Sequence, residues 1–406
     1  MPFSRLLPRP SRLIGVLLLL LAAVLAGPVP DARAAAGLIR VTDFGSDPGQ
    51  LGMYVYRPAS LPTAPPVVVA LHGCSQSAQV YADNSGLAEL AERRGFLLVL
   101  AEQSSSNNLN KCFNWFQPAD VRRGQGEAAS IRQMVAHAVS ALGADPERVY
   151  VTGLSAGGAM TSVMLAAYPD VFAAGAVVAG LPYDCARDVV TAYSCMSPGV
   201  DRAPAQWAES VRNAQSSWTG PWPRVAIWHG DRDTTVVPRN ADELRDQWTA
   251  VHGLSPTPSR TDVIGSGSTR REQYTAPDGS VAVEVDRVSG IGHGTPVDPG
   301  TGAEQCGSTG AAYFLDSICS SHWIAEFFDL EEGGGGDDGG EQPGDTPECW
   351  TGSNYQHVQA GRATVAGGYA YAKGSGQNMG LYNTFVTHTL RESPAGHYVL
   401  ADGVCP

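Results

Sequence analysis

Short, uninterrupted apolar runs alternate with helix-length stretches through most of this chain. VVVAL at 67–71 and FLLVL at 96–100 read as strands covered on both faces, because a half-exposed strand would alternate apolar and polar residues. Residues 78–94 between them have helical spacing. A strand at 148–152 runs almost directly into a helix at 156–167. Further strands are expected at 53–57, 172–179, 225–228 and 281–288, and further helices at 126–142, 241–251 and 321–328. Sequential parallel strands need a crossover, and a crossover lays its helix over the sheet. The order therefore predicts an α/β fold, with a mostly parallel central sheet and helices on both faces.

The ends of the chain are of different character. Arg5, Arg9 and Arg12 precede an apolar run from 13 to 29 that closes on Ala32-Arg33-Ala34, as in a cleaved secretory signal peptide over 1–34. The run is short for a membrane span and is interrupted by Gly27, Pro28 and Pro30. Secretion is thus expected, with no membrane association after cleavage. Losing four Arg and one Asp takes the formal charge from −13 to −16. A chain this acidic is a poor partner for nucleic acid. Residues 331–348, EEGGGGDDGGEQPGDTPE, hold seven acids and no aromatic or aliphatic side chain, which is linker composition. The linker separates a body at 35–330 from a tail at 349–406.

The junction near 152–156 carries a motif. Gly153-Leu154-Ser155-Ala156-Gly157 matches G-x-S-x-G between a strand and a helix, where a sharp turn needs small neighbours and lifts Ser155 Oγ above the sheet edge. A serine hydroxyl needs a base, and with this elbow the partners follow in the order Ser, acid, His. His229-Gly230-Asp231-Arg232-Asp233 follows the strand at 225–228. Its spacing favours Asp233, with Asp231 as the alternative. His293 lies in the glycine-rich loop Gly290-Ile291-Gly292-His293-Gly294, whereas His252 and His322 fall in or beside helices and His357, His388 and His397 in the tail. Two backbone amides must hold the oxyanion of an acyl transfer. Ala156 is expected to give one and Cys74 the other, with Gly73 next. Trp115 either walls an acyl pocket or packs in the core.

LHGCSQ at 71–76, KCFNWFQPADVRRGQGEAASIRQMV at 111–135, VTGLSAGGAM at 151–160, HGDRDTTVVP at 229–238 and GIGHGTPVDPG at 290–300 resemble, in sequence and order, the secreted polyhydroxyalkanoate depolymerase family of α/β hydrolases. The resemblance implies an α/β-hydrolase fold, a Ser155–Asp233–His293 triad, amides of Cys74 and Ala156 as oxyanion donors, and hydrolysis of polyesters such as poly(3-hydroxybutyrate). That ancestry is shared with feruloyl and acetylxylan esterases, which leaves a polysaccharide-bound ester as the alternative substrate. The tail looks like the family's small substrate-binding domain. It holds seven aromatics in 58 residues, with few aliphatics to cover them. Trp350, Tyr355 and Tyr382 are candidate contacts for an insoluble polyester surface. No cofactor or metal is expected, because no H-E-x-x-H or close Cys/His cluster appears, and a monomer is expected.

Eight cysteines in a secreted chain can form four disulfides. Cys185 and Cys195, and Cys306 and Cys319, are near enough in sequence to pair locally, which leaves Cys74 with Cys112 in the body and Cys349 with Cys405 closing the tail. Spacing alone does not fix this connectivity.

Overall fold

The computed structural model describes Met1 and residues 37–330, 349–392 and 398–402. The expected leader beyond Met1 and the acidic linker lie outside the described residues, as does Cys405 and with it the expected Cys349–Cys405 bridge. The chain divides into two compact units, Met1–Gly336 and Asp337–Pro406.

The first unit runs through β1 (Ile39–Val41), β2 (Gly52–Tyr56), β3 (Val67–Leu71), α1 (Ala78–Asn84), α2 (Leu87–Arg94), β4 (Leu97–Glu102), α3 (Gly126–Leu142), β5 (Val149–Leu154), α4 (Ala156–Ala167), β6 (Ala174–Val178), α5 (Val189–Met196), α6 (Pro204–Ala214) and β7 (Arg224–Gly230). It continues through α7 (Arg239–His252), β8 (Arg260–Ile264), β9 (Thr269–Thr275), β10 (Val281–Val288), β11 (Thr295–Val297), β12 (Phe314–Asp316) and α8 (Ser320–Phe327). Ten strands form one sheet in the order β1-β2-β4-β3-β5-β6-β7-β10-β9-β8. From β4 to β10 every pairing is parallel, and at both margins the pairings are antiparallel.

The apolar runs divide between two cores by strand periodicity. Val67, Val69 and Leu71 of β3 join one layer, with α3, α4, α6 and α7. Val68 and Ala70 join the other, with α1, α2 and α8. Successive side chains of a strand face opposite ways, so a strand covered on both faces must be apolar throughout. Every residue of α4 is buried, and Leu165 fills the space over Gly175 of β6, where a Cβ would meet its side chain.

Three differences from the expected elements have physical causes. The helix expected at 78–94 is two helices. Gly86 between them has φ +83°, and a Cβ there would meet Cys306 of the neighbouring loop. The β8–β9 hairpin was not expected, because β9 reads as the polar TRREQYT. It is built on charge: Arg271 donates from Nε to Asp286 Oδ1 at 2.9 Å and pairs with Glu284 at 3.1 Å. Helix α5 was also missed, since its apolar residues Val189, Val190 and Tyr193 face solvent. The three body disulfides, Cys74–Cys112, Cys185–Cys195 and Cys306–Cys319, are the expected ones.

The second unit contains β13 (Cys349–Ser353), α9 (Asn354–Gln359), β14 (Ala363–Ala366), β15 (Tyr369–Ala372), β16 (Asn378–Leu381), β17 (Thr387–Glu392) and β18 (Tyr398–Leu400). They form two three-stranded sheets, β13-β17-β18 and β14-β15-β16, with antiparallel pairing throughout. Its core is small: Ala363, Ala370, Ala372, Met379 and Leu390.

Leu165→Ala opens a cavity at the centre of the α4 layer and is expected to destabilise the protein by about 3 kcal/mol. Leu109→Ala, at a position 89% exposed, is expected to stay within about 0.5 kcal/mol. Urea midpoints that do not separate the two variants would contradict this core.

Candidate active site

Ser155 is the single residue between β5 and α4. Its φ of +58° and ψ of −114° lie in a region that L residues avoid. The surroundings over-determine this conformation. Ser155 N–H donates to Val178 O at 2.9 Å, and Ala159 N–H donates to Ser155 O at 2.8 Å. The first turn of α4 lies against the end of β3, where a Cβ on Gly157 would collide with Leu71 O.

The two other expected residues meet Ser155 from separate loops. Asp233 follows β7, and His293 lies between β10 and β11. His293 Nδ1 is 2.6 Å from Asp233 Oδ2, and His293 Nε2 is 2.9 Å from Ser155 Oγ. A carboxylate can only accept, so Nδ1 carries the proton and Nε2 is free to accept from the serine hydroxyl. Asp233 Oδ1 accepts from the amides of Thr235 at 2.8 Å and Val236 at 2.9 Å. Burial pushes the Asp233 carboxyl up, but the hydrogen bonds from His229 and His293 outweigh it and hold the group well below the usual carboxylate range.

The alternative acid, Asp231, has another task. Its Oδ1 accepts from Gly290 N–H at 2.7 Å, and Arg232 N–H donates to Ile291 O at 3.0 Å. These bonds pin the loop that carries His293. Of the other histidines, His252 Nε2 lies 3.0 Å from Pro223 O, and His322 is buried with Nδ1 3.2 Å from Arg94 Nη2. His357 Nε2 is 2.9 Å from His388 O within the second unit. His397 lies outside the described residues.

Ser155 and His293 open into a cleft of about 400 Å³ that Cys74 and Ala156 also line. The amides of Cys74 and Ala156 donate to no acceptor among the described residues. Gly73, the next candidate after Cys74, gives its N–H to Gln76 Oε1 at 2.9 Å and so is already engaged. Trp115 is 7% exposed, stands edge-on to Phe116 at 5.5 Å, and lines the cleft. Val189, Tyr193 and Tyr313 form an exposed apolar rim.

Glu127 was not expected to bear on the site. It is buried in the first turn of α3, where an acid ordinarily serves the helix dipole. Its Oε2 accepts from Asn114 N–H at 2.7 Å. Its Oε1 accepts from Asn114 Nδ2 at 2.7 Å and from the side-chain amides of Gln103 and Asn107. It thereby holds the loop that presents Asn108, Asn110, Cys112, Trp115 and Phe116 to the cleft. That loop grips the Cys74 segment through Cys74–Cys112 and through Ser75 N–H donating to Asn110 O at 2.7 Å. Glu127 lies within the 111–135 segment, but its residue type and spacing do not mark this role, because its partners are ordinary amides brought together by the fold. Burial pushes its carboxyl up to about 8, against the pull of the donors from Asn114 and Gln103.

The tail candidates separate. Tyr355 and Tyr382 stack with ring centroids 5.7 Å apart. Trp350 belongs to another cluster, edge-on to Tyr398 at 5.7 Å with the Arg362 guanidinium 5.2 Å from its ring. Phe385, 89% exposed, is the most open aromatic among the described residues.

The family model described as Esterase PHB depolymerase matches residues 50–274. The chain is 48% identical over 301 residues to a protein named poly(3-hydroxyalkanoate) depolymerase C from Paucimonas lemoignei, covering 74% of this chain and 72% of that one. It is 38% identical over 276 residues to an acetylxylan esterase from Coprinopsis cinerea, covering 66% and 72%. The solved structure of an acetyl xylan esterase from Aspergillus awamori aligns with a TM-score of 0.61 at 29% identity, over 73% of this chain and 100% of that one. The fold is that of an α/β hydrolase.

Glu127 titrates higher in the folded protein than its ordinary 4.5. The stability it contributes is therefore full below about 4.5 and lost as pH rises through about 8. The advantage of the wild type over Glu127→Gln in urea midpoint is expected to shrink across that range. A constant difference would contradict this reading of Glu127.

Proposed function

Because the chain belongs to the esterase PHB depolymerase family, and is a carboxylic ester hydrolase, we propose that it is a secreted serine esterase that cleaves short-chain polyhydroxyalkanoate such as poly(3-hydroxybutyrate). The observation that carries the mechanism is the unbroken line of hydrogen bonds from Asp233 through His293 to Ser155 at the floor of the cleft. The 48% identity with a protein named as a polyhydroxyalkanoate depolymerase supports the substrate. So does the apolar rim of Val189, Tyr193 and Tyr313, suited to a chain leaving a water-poor solid. The leader at 1–34 and the three body disulfides support export.

The reaction proceeds in two halves. Ser155 Oγ attacks an ester carbonyl as its proton passes to His293 Nε2. Asp233, kept ionised, orients the imidazole and stabilises its positive charge. The carbonyl oxygen becomes an oxyanion held by the amides of Cys74 and Ala156. The bond to the leaving oxygen breaks, and that oxygen takes the His293 proton and departs as an alcohol. Water then gives a proton to His293 and its hydroxyl to the acyl carbon. Collapse releases the acid, and Ser155 recovers its proton.

The runner-up is an esterase that removes acyl groups from plant polysaccharide, favoured by the presence of acetylxylan esterases among the similar proteins. In that case the exposed Tyr355 and Phe385 of the tail would lie against sugar rings rather than polyester. Purified protein is expected to clear a turbid poly(3-hydroxybutyrate) suspension. Persistent turbidity with release of ferulate from bran would favour the runner-up. Ser155→Ala is expected to lower kcat on p-nitrophenyl butyrate by about 10⁴-fold or more without lowering the melting temperature. Retained turnover would end the serine mechanism. Deleting residues 349–406 is expected to weaken granule adsorption while sparing soluble-ester hydrolysis. Undiminished adsorption would remove the tail's assigned role.

A further inference from the structure

A second cavity, of about 780 Å³, lies in the same unit and shares Trp115 with the cleft, so one indole walls both. Four arginines line it: Arg122, Arg123, Arg187 and Arg202. This is a marked local reversal in a chain whose formal charge is −13.

Two of the four are neutralised. Arg123 makes a two-point contact with Asp170 at 2.6 and 2.7 Å, and Arg187 makes one with Asp184 at 3.0 and 2.9 Å. The Arg202 guanidinium lies over the Trp207 ring at 4.3 Å and donates from Nη1 to the carbonyl of Asp184 at 3.0 Å; it makes no ion pair among the described residues, and the Arg202 backbone N–H donates to Glu243 Oε2 at 3.4 Å. Arg122 is exposed and makes no ion pair among the described residues. The lining also holds two acids: Asp184, taken up by Arg187, and Glu209, which makes no ion pair among the described residues. Tyr183 completes the donor set. Burial pushes its hydroxyl up to about 12, so it stays protonated and able to donate. Two guanidinium groups and a phenol converging on one cavity suit a carboxylate.

We propose that this cavity is a subsite for the free carboxylate of a hydroxyacid oligomer, occupied when the scissile ester lies at Ser155, so that chain ends are cut preferentially. The inference rests on the ester-hydrolase reading of Ser155 and extends it to the choice of bond. In a polyhydroxyacid each ester joins the acyl carbon of one residue to the oxygen of the next. The piece that leaves as the alcohol is therefore the piece that ends in the carboxyl terminus. Before cleavage, that terminus is the only negative charge on the substrate. A cationic cavity beside the cleft can hold it while the leaving oxygen takes the His293 proton. A polysaccharide carrying neutral acyl esters offers no such group.

The test uses the full-length protein with free acids of 3-hydroxybutyrate oligomers two, three and four residues long, the methyl esters of the same oligomers, and p-nitrophenyl butyrate. For at least one length, kcat/KM is expected to favour the free acid over its methyl ester by about tenfold, with the preference falling as salt is added. Arg122→Ala is expected to abolish that preference mainly through KM, leaving the methyl esters and p-nitrophenyl butyrate within about twofold. Arg202→Met, which keeps the stem over Trp207 and removes the charge, is expected to act in the same direction. Equal rates for acid and methyl ester at all three lengths would overturn the subsite. So would an Arg122→Ala variant that keeps the preference or that loses p-nitrophenyl butyrate activity in proportion. A wild type inactive on p-nitrophenyl butyrate would instead strike the esterase reading beneath it, and the subsite with it.

Discussion

At Gly157 the first turn of α4 lies so close to the Leu71 carbonyl that no side chain fits between them. That approach sets the direction in which α4 leaves β5, and with it the unusual backbone of Ser155. It also brings the end of β3, and hence the 72–76 segment that follows, alongside the start of α4. The placement of Ser155 and of the two free amides of Cys74 and Ala156 thus derives from one packing contact. The strain at Ser155 costs on the order of 1–3 kcal/mol. It is offset by a helix buried at every position, so the conformation of Ser155 depends on the most deeply buried helix of the unit.

Two buried carboxylates flank this contact, and their surroundings treat them differently. At Asp233, hydrogen bonds from two imidazoles overcome burial and keep the anion. At Glu127 the donors are neutral amides, a second acid, Asp120, lies near, and burial prevails. The first arrangement suits a group that must balance an imidazolium during turnover. The second suits a group that must gather amides and hold a loop. Both are buried acids that accept several hydrogen bonds, and what separates them is the imidazole donors at Asp233 and the neighbouring acid Asp120 at Glu127.

That difference also explains what the sequence disclosed. The β3 and β4 runs, the elbow around Ser155 and the loop around His293 were legible because each is written in contiguous residues: an apolar run, two glycines about a serine, a histidine among glycines. The choice of Asp233 over Asp231 rested on spacing, and its physical reason, that Asp231 is committed to Gly290 N–H, is visible only in three dimensions. Glu127, the charged β8–β9 hairpin and the outward-facing α5 were not legible. Each depends on partners far away in sequence, or reverses the rule that apolar side chains point inward. In the tail, Trp350 packs against Tyr398 and Arg362, contacts that its residue type alone does not disclose.

The similar proteins bear polyester and polysaccharide-ester names alike, while the line from Asp233 to Ser155 is chemistry that any ester can use. Charge develops on the same carbonyl oxygen whatever alcohol departs, so under the proposed mechanism Ser155, Asp233, His293 and the two amides would stabilise those transition states about equally. Discrimination must come from groups that touch the rest of the substrate. Around the cleft, the candidates for such groups are Trp115 and the rim of Val189, Tyr193 and Tyr313. The rim lies on α5 and on the residues just before β12, outside the turn and loops that carry Ser155, Asp233 and His293. Substitutions there can alter which ester is taken without disturbing the contact at Gly157. A fold in which reaction and selection reside in separate elements can keep one mechanism while its substrates diverge, which is why chains this similar carry such different names.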